Sequence, residues 1–180
     1  VVGGLYSVVN VSYSLGLKQV VLLDAFAVTS GYVIRAAAGA VAIDVTPSPW
    51  LYVTTGAGAL FIVLGRRFAE ARLAGDSVGE QRTVLKDYSG PFIGQLLTLS
   101  AAAAWLSYTL YTVEATNLPD NNTMLFTLPL VTFGLFRYLY LLNNSEQAEA
   151  PEQLIVRDLP LVLSIVSWVA VSTLVLLLDN

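Results

Sequence analysis

The sequence contains no cysteine and no histidine. Their absence excludes disulfides, thiol nucleophiles, zinc sites built from these residues, and imidazole acid–base catalysis. Charge is also scarce, because only 12% of the 180 residues are charged whereas 56% are hydrophobic. The net charge of −4 offers no general basic patch for nucleic acid. The bilayer is therefore the expected solvent, and any chemistry must use carboxylates, Lys, Arg, Tyr or a bound metal.

Long apolar stretches define the predicted architecture. A helix needs about 20 mostly apolar residues to cross a bilayer, and five stretches reach or approach this length: 20–43, 50–66, 91–113, 123–142 and 159–178. A sixth stretch, 1–14, is too short to span. Turn residues lie between the stretches, and no ten-residue alternation indicates strands. The predicted fold class is an all-α integral membrane bundle with five full spans and a truncated one.

The first residues point to a longer protein. The sequence begins Val1-Val-Gly-Gly, without an initiating Met or a basic leader, and it enters directly into an apolar stretch. We expect residues 1–180 to be the C-terminal portion of a single larger transmembrane domain. A processed mature terminus is the alternative, and it would leave half a membrane span.

The distribution of cations predicts the orientation. If the five spans alternate in direction, eight of the nine Lys and Arg residues fall on one side of the membrane, and the opposite connectors carry acidic residues instead. The positive-inside rule places the cationic side in the cytoplasm and the C-terminus on the other side. The eight cations are Lys18, Arg66, Arg67, Arg72, Arg82, Lys86, Arg137 and Arg157.

The ninth cation, Arg35, lies within the first full span, where a charge is costly unless it faces the bundle interior or has a partner. Asp24 precedes it by eleven residues. Both lie on one helical stripe about 16 Å apart, too far for direct pairing. Gly31 leaves room between them, and Thr29 and Ser30 offer hydroxyls. Two interpretations stay open: a ligand site on this stripe, or a structural contact between Arg35 and a neighbouring helix.

A second group of charges lies near helix ends on the cationic side, and consists of Lys18, Asp24, Arg66, Arg67 and Glu70. Several cations beside carboxylates suit a phosphorylated ligand, since Arg offers a planar fork to phosphate oxygens and an acid can hold a metal that bridges phosphates. The alternative is that the two arginines anchor a helix end to anionic lipid headgroups.

Three segments carry a resemblance to a known family. They read Tyr13-Ser-Leu-Gly-Leu-Lys18-Gln-Val-Val-Leu-Leu-Asp24, Thr29-Ser-Gly-Tyr-Val-Ile-Arg35-Ala-Ala-Ala-Gly39 and Leu60-Phe-Ile-Val-Leu-Gly-Arg-Arg-Phe-Ala-Glu70. In this order they resemble the decaprenyl-phosphate phosphoribosyltransferases of the UbiA prenyltransferase superfamily. The likeness continues through later positions and covers essentially the whole chain. These positions are Tyr88, Leu135-Phe-Arg137-Tyr138, Pro151-Glu152 and Arg157-Asp158.

The resemblance implies a nine-helix membrane enzyme. Such an enzyme moves 5-phosphoribose from phosphoribosyl pyrophosphate to decaprenyl or another polyprenyl phosphate and releases pyrophosphate, in the synthesis of arabinan precursors for the cell wall. It implies Mg²⁺ as the cofactor. The family's first Asp-rich motif, which holds metal and pyrophosphate, would precede Val1, so the 180-residue chain alone is expected to be inactive.

The resemblance also implies roles for individual residues. Tyr13, Lys18 and Asp24 form the expected catalytic group, in which Lys18 holds a phosphate and Asp24 positions the ribose or supports the metal. Gly65-Arg66-Arg67 stands where Gly-Lys-Arg is expected, and Gln19 stands where a His is frequent. The expected substrate- and phosphate-binding residues are Arg66, Arg67, Glu70, Arg35, Arg137 and Arg157.

Other functions are less well supported by the sequence. An aromatic prenyltransferase of the same superfamily would carry a second aspartate in the segment that here has Tyr13, Lys18 and Asp24. A transporter would account for Arg35, but the sequence has no internal repeat or paired broken helices. A purely structural membrane subunit would leave the clustered charges unexplained.

Overall fold

The computed structural model describes residues 22–42, 44, 46–74, 90–115, 118, 122–144 and 155–178. All regular structure in these ranges is helical, so the predicted all-α class is confirmed for this part of the chain. The truncated stretch 1–14 lies outside the described residues. The elements are α1 (Leu23–Ala42), α2 (Pro49–Ala74), α3 (Gly90–Glu114), a 3₁₀ segment (Thr123–Thr127), α4 (Leu128–Asn144) and α5 (Leu159–Leu178).

Consecutive helices run antiparallel, as side-chain contacts at their ends show. Arg67, near the end of α2, bonds to Asp24 at the start of α1. The Trp50 indole N–H, at the start of α2, donates to the Glu114 carboxylate at the end of α3 (2.8 Å). Alternation therefore gathers the start of α1, the end of α2, the end of α4 and the start of α5 at one end of the bundle, which we call the charged end.

Four helical segments are long and apolar enough to cross a membrane: Leu23–Ala42, Gly90–Glu114, Thr123–Asn144 and Leu159–Leu178. Large apolar side chains cover their outer surfaces, as Phe126 and Leu178 illustrate, both 75% exposed. A surface of this kind is stable against lipid and not against water. Together these features identify a membrane protein.

Helix α2 is the exception among the predicted spans. With 26 residues it is longer than any other described helix, and it contains the predicted span 50–66. Threonines and glycines dilute its apolar part, and four charged residues occupy its last turns. It does not reach the apolar content of the other four segments, so the prediction of five full spans is not confirmed.

The core lies where α2 meets the other helices. Phe61 and Tyr138 pack edge to face with ring centroids 5.3 Å apart, and both are almost fully buried beside Leu142. Gly65 allows this approach, because a Cβ at that position would lie 2.7 Å from the Tyr138 hydroxyl and 3.1 Å from a Leu142 methyl. The absence of a side chain at Gly65 thus fixes how closely α2 and α4 can pack.

Several polar side chains form hydrogen bonds to neighbouring helices. Arg72 on α2 donates to the carbonyls of Leu142 and Asn143 at 2.6 and 2.7 Å, which caps the C-terminus of α4. In the other half of the bundle, the Trp168 indole N–H donates to the Tyr108 hydroxyl (2.8 Å), which also bonds to Thr127 (2.6 Å). Such bonds tie helices together in a solvent that offers none.

Candidate functional site

A buried ion pair joins α1 to α2 at the charged end. The Arg67 Nε donates to Asp24 Oδ2 at 2.9 Å, and the two side chains are only 8% and 5% exposed. Asp24 lies in the first turn of α1, where a negative charge faces the positive end of the helix dipole. A buried carboxylate and a buried guanidinium are each costly to desolvate. Each of these two charges is therefore tolerated in the interior only because it pairs with the other.

Two further charges extend this pair towards solvent. Arg67 Nη1 donates to Glu70 Oε2 at 2.6 Å, and Arg66 Nε donates to Glu70 Oε1 at 3.2 Å. Exposure rises along the series, since Glu70 is 28% and Arg66 58% exposed. The spacing of these residues on α2 makes the contacts possible, because positions three and four apart share a helix face. We call Asp24, Arg66, Arg67 and Glu70 the charged cluster.

The charged cluster has a graded architecture. Arg67 is held by two carboxylates in an almost buried position, which fixes the plane of its guanidinium. Arg66 at the rim keeps most of its surface exposed and can reach a ligand that approaches from the charged end. Two carboxylates balance two arginines, so the cluster itself is neutral. A phosphate would therefore need additional positive charge from other residues, and Lys18 is the predicted source.

The structure places the other predicted residues as follows. Tyr13 and Lys18 lie outside the described residues. Arg35 is exposed on α1, with its guanidinium 5.4 Å from the centroid of the Tyr32 ring. Its guanidinium thus packs on an aromatic ring of its own helix. Arg35 lies eleven positions after Asp24 on this helix, as the spacing predicts.

The hydroxyls of Thr29 and Ser30, which lie between Asp24 and Arg35, differ in their hydrogen bonding. Ser30 Oγ donates to the carbonyl of Ala27 at 2.8 Å. Thr29 is 7% exposed, and its Oγ1 has no hydrogen-bond partner in the part of the chain that the structure describes. A buried hydroxyl without a partner costs free energy, so Thr29 is a candidate contact for a polar ligand group.

Arg137 and Arg157 lie on the α4–α5 side of the charged end. Arg137 forms a bidentate pair with Asp158, through Nε to Oδ1 at 3.0 Å and Nη2 to Oδ2 at 2.8 Å. Asp158 also accepts the Leu161 backbone N–H at 2.9 Å and thereby caps the start of α5. Arg157 is exposed. In the sequence, Asp158 stands next to Arg157. Nothing in this motif indicates that Asp158 pairs with Arg137, which lies 21 residues earlier.

The Asp158 carboxylate gives a prediction about pH. The hydrogen bond from Arg137, with the Leu161 N–H, lowers the pKa of Asp158 below its ordinary value of about 4. A lowered folded-state pKa contributes stability that is present above the unfolded pKa and is lost as the pH falls through the folded value. Asp158→Asn keeps a good N-cap but removes the charge. We expect it to lower the melting temperature at pH 7. The difference in melting temperature between variant and wild type should disappear as the pH falls below about 4.

Thermal unfolding in detergent between pH 7 and pH 3 measures this difference. Asp44→Asn serves as the matched control for the loss of a carboxylate, since Asp44 lies in the turn between α1 and α2. A gap for Asp158→Asn that does not change with pH would assign the whole effect of Asp158 to its N-cap geometry.

The described residues do not form a self-contained Mg²⁺ site. No group of three or more potential ligand side chains occurs among them, and the two carboxylates of the charged cluster are both held by arginines. Mg²⁺ is often bound through one or two carboxylates together with substrate phosphates. Asp24 could supply at most one such ligand from this part of the chain.

Comparison with known proteins confirms the resemblance read from the motifs. The chain is 30% identical over 177 residues to the decaprenyl-phosphate phosphoribosyltransferase of Mycolicibacterium smegmatis. The aligned region covers 94% of the chain and 55% of that relative. It is 32% identical over 165 residues to the protein of the same name from Mycobacterium tuberculosis (92% of the chain, 54% of the relative).

The corresponding protein of Corynebacterium glutamicum is 26% identical over 168 residues, which cover 92% of the chain and 50% of that relative. The chain therefore spans about half the length of the curated relatives that it matches. No family model matches the chain.

Proposed function

We propose, from the similarity of this chain to decaprenyl-phosphate phosphoribosyltransferases, that it forms part of a membrane enzyme that transfers 5-phosphoribose from phosphoribosyl pyrophosphate to a polyprenyl phosphate. The observation that carries this proposal is the extent of the similarity, which reaches at least 92% of the chain in three relatives that share this name. The charged cluster supports it together with the predicted Lys18, because its arginines and this lysine would supply cations for a phosphorylated donor.

The proposed reaction requires cationic groups such as those at the charged end. A phosphate oxygen of the lipid acceptor attacks the anomeric carbon of the donor, and the bond from that carbon to pyrophosphate breaks, so pyrophosphate leaves with the electron pair. Cations stabilise the charge that develops on the leaving group. Arg66 at the exposed rim and Lys18 would contact phosphates directly, whereas Arg67 would act from its fixed position between Asp24 and Glu70.

Asp24 and Tyr13 have supporting roles in this proposal. Asp24 would orient a ribose hydroxyl or share a metal ion, and Tyr13 would donate a hydrogen bond. When bound, Mg²⁺ would neutralise pyrophosphate charge, with Asp24 as its one described carboxylate ligand. Glu70 keeps both arginines in place, and Arg35 stays a predicted contact for substrate phosphates. The same prediction for Arg137 and Arg157 is not needed for this proposal.

A location at the membrane surface suits one substrate that is a lipid and another that is soluble in water. A polyprenyl chain would lie along the apolar helix faces, and its phosphate would reach the membrane surface at the charged end, where a soluble donor is accessible. The described cations other than Arg35 all lie at that end, and the positive-inside rule orients it towards the cytoplasm. We place the product among the arabinan precursors of the cell wall, in keeping with the resemblance.

A transfer assay tests the proposal. The chain is produced alone and, in parallel, fused behind the N-terminal half of the M. smegmatis relative, and each is supplied with Mg²⁺, polyprenyl phosphate and phosphoribosyl pyrophosphate labelled in the ribose. We expect label in the lipid extract only from the fusion, and loss of that label when Mg²⁺ is chelated or when Lys18 is replaced in Lys18→Ala.

The relative's N-terminal half without this chain is the control for residual activity. A fusion that folds and yields no labelled lipid would contradict the proposal. Consumption of a prenyl diphosphate in the presence of an aromatic acceptor would instead support the aromatic prenyltransferase.

A further inference from the structure

An open apolar groove runs along the outer face of the 3₁₀ segment and α4. It has a volume of about 630 Å³, and its walls include Leu128, Pro129, Phe133 and Phe136. Phe133 and Phe136 are 47% and 67% exposed, so the groove faces the surroundings of the bundle. In a membrane-spanning segment these surroundings are lipid chains, and the groove offers one chain a seat between aromatic side chains.

The groove ends in polar groups at the charged end. Arg137 and Tyr140 line this end, and the Arg137 guanidinium lies 5.2 Å from the centroid of the Tyr140 ring. Two of the five N–H groups of Arg137 donate to Asp158, and the other three make no hydrogen bond to the described residues and can face another acceptor. The side chain is 30% exposed, so an acceptor at the membrane surface can reach it.

Charge at this end favours a monoanion. Arg137 and Asp158 neutralise one another, and the exposed Arg157 next to Asp158 leaves one net positive charge among the described groups. A phosphodiester carries a single negative charge, whereas a phosphomonoester carries about −1.5 to −2 near pH 7. A phosphomonoester would leave uncompensated negative charge beside Asp158.

We propose that this groove binds an anionic phospholipid of the bilayer, such as phosphatidylglycerol. One acyl chain lies along Pro129, Phe133 and Phe136, and the phosphodiester accepts hydrogen bonds from the unused N–H groups of Arg137. The residues that line the groove all belong to the 3₁₀ segment and α4, and the pair with Asp158 connects the same guanidinium to the start of α5.

The position of the groove separates it from the charged cluster. Tyr138 and Leu142 face α2 at Gly65. At 100° per residue, Phe133, Phe136 and Tyr140 lie on the opposite face of α4. The helix therefore stands between the groove and the Asp24–Arg67 pair. A lipid phosphate that must meet a donor at the charged cluster is poorly placed here, which favours a bilayer phospholipid over the acceptor of the proposed reaction.

Native mass spectrometry of the protein with its full chain in detergent tests this inference. Phosphatidylglycerol and phosphatidylcholine with identical acyl chains are added in turn, and retained lipid is counted. One arginine contact to a lipid surface corresponds to roughly a fivefold preference, so we expect wild type to retain phosphatidylglycerol about fivefold more strongly. Arg137→Gln should reduce this preference to near parity, and Arg137→Lys should restore part of it.

Three further variants protect the test against misfolding. Arg157→Gln leaves the Arg137–Asp158 pair intact and should still lower the preference. Phe136→Ala should weaken retention of both phospholipids. Phe126→Ala, which removes an exposed ring of similar accessibility outside the groove lining, should not. Equal retention of the two phospholipids by wild type, or equal effects of Phe136→Ala and Phe126→Ala, would overturn the inference.

A competition experiment with polyprenyl phosphate tests whether the groove binds the acceptor lipid instead. If it displaces phosphatidylglycerol at equal concentration, and Phe136→Ala abolishes that displacement, the groove belongs to the acceptor and the phospholipid assignment is wrong. Because this readout is lipid retention and not transfer, it is independent of whether the proposed reaction occurs.

Discussion

Arg67→Met is expected to lower the free energy of unfolding by about 3–5 kcal/mol, since removal of one member of a buried ion pair leaves its partner in a poorly solvated position. Asp24 is 5% exposed and receives the Arg67 Nε at 2.9 Å. The same substitution withdraws the Nη1 donor from Glu70. If the protein has the proposed activity, transfer should fall even where the folded protein remains abundant.

The neighbouring arginine supplies the matched control for this prediction. Arg66→Met removes an ion pair whose arginine is 58% exposed, and such pairs contribute roughly 0–1 kcal/mol. Denaturant unfolding in detergent, followed by tryptophan fluorescence, compares the two variants. Equal losses for Arg66→Met and Arg67→Met would mean that the buried pair contributes no more than a surface pair.

A double variant separates charge from packing. Asp24→Asn combined with Arg67→Met removes both charges and should recover part of the stability lost in Arg67→Met, because no unpaired ion remains in the pair. Arg67→Lys keeps the charge but loses the planar fork that two carboxylates hold. We expect it to fold better than Arg67→Met and to bind substrate phosphates more weakly than wild type.

Gly65→Ala is expected to destabilise the protein by about 1–3 kcal/mol, which is the usual range for added volume in a packed core. The new methyl group would meet the Tyr138 hydroxyl at 2.7 Å and Leu142 at 3.1 Å, so either these side chains shift within a packed core or α2 and α4 move apart. This movement would also strain the Arg72 bonds to the α4 carbonyls. The melting temperature in detergent and limited proteolysis report the loss.

Gly58→Ala is the matched control in the same helix. Nothing lies within 4 Å of a Cβ at Gly58, so this variant should gain up to about 1 kcal/mol from helix propensity. Opposite signs for the two alanines would locate the close contact at Gly65. A stabilising Gly65→Ala would show that Tyr138 moves aside without cost.

The helices could largely be predicted from the sequence because apolar length is a local property. The stretch 159–178 coincides with α5, and 91–113 lies within α3. The sequence underestimated α2, which continues to Ala74 beyond the predicted end at 66. Charged residues mark the end of an apolar stretch, but they do not interrupt backbone hydrogen bonding, so the helix runs on past the apolar part.

The partners within the candidate site could be predicted only in part. Asp24, Arg66, Arg67 and Glu70 were expected at one end of the bundle, and the structure brings them into contact. The pairing of Arg137 with Asp158, and the use of Arg72 as a helix cap, depend on how helices distant in sequence approach each other. Hydropathy and charge patterns carry no information of that kind. The roles of Tyr13 and Lys18 stay predictions.

The double use of Asp158 has a consequence for biogenesis. Arg137 lies towards the charged end of a segment that is long and apolar enough to cross the membrane. An arginine opposes the insertion of an isolated span, by up to about 2.5–3.5 kcal/mol at the centre of the span. The bidentate carboxylate partner of Arg137 also caps the next helix, so both helices gain when they meet. We therefore expect the translocon to release α4 and α5 into the bilayer together, as a helical hairpin, and Asp158→Ala to lower the inserted fraction of α4 during synthesis.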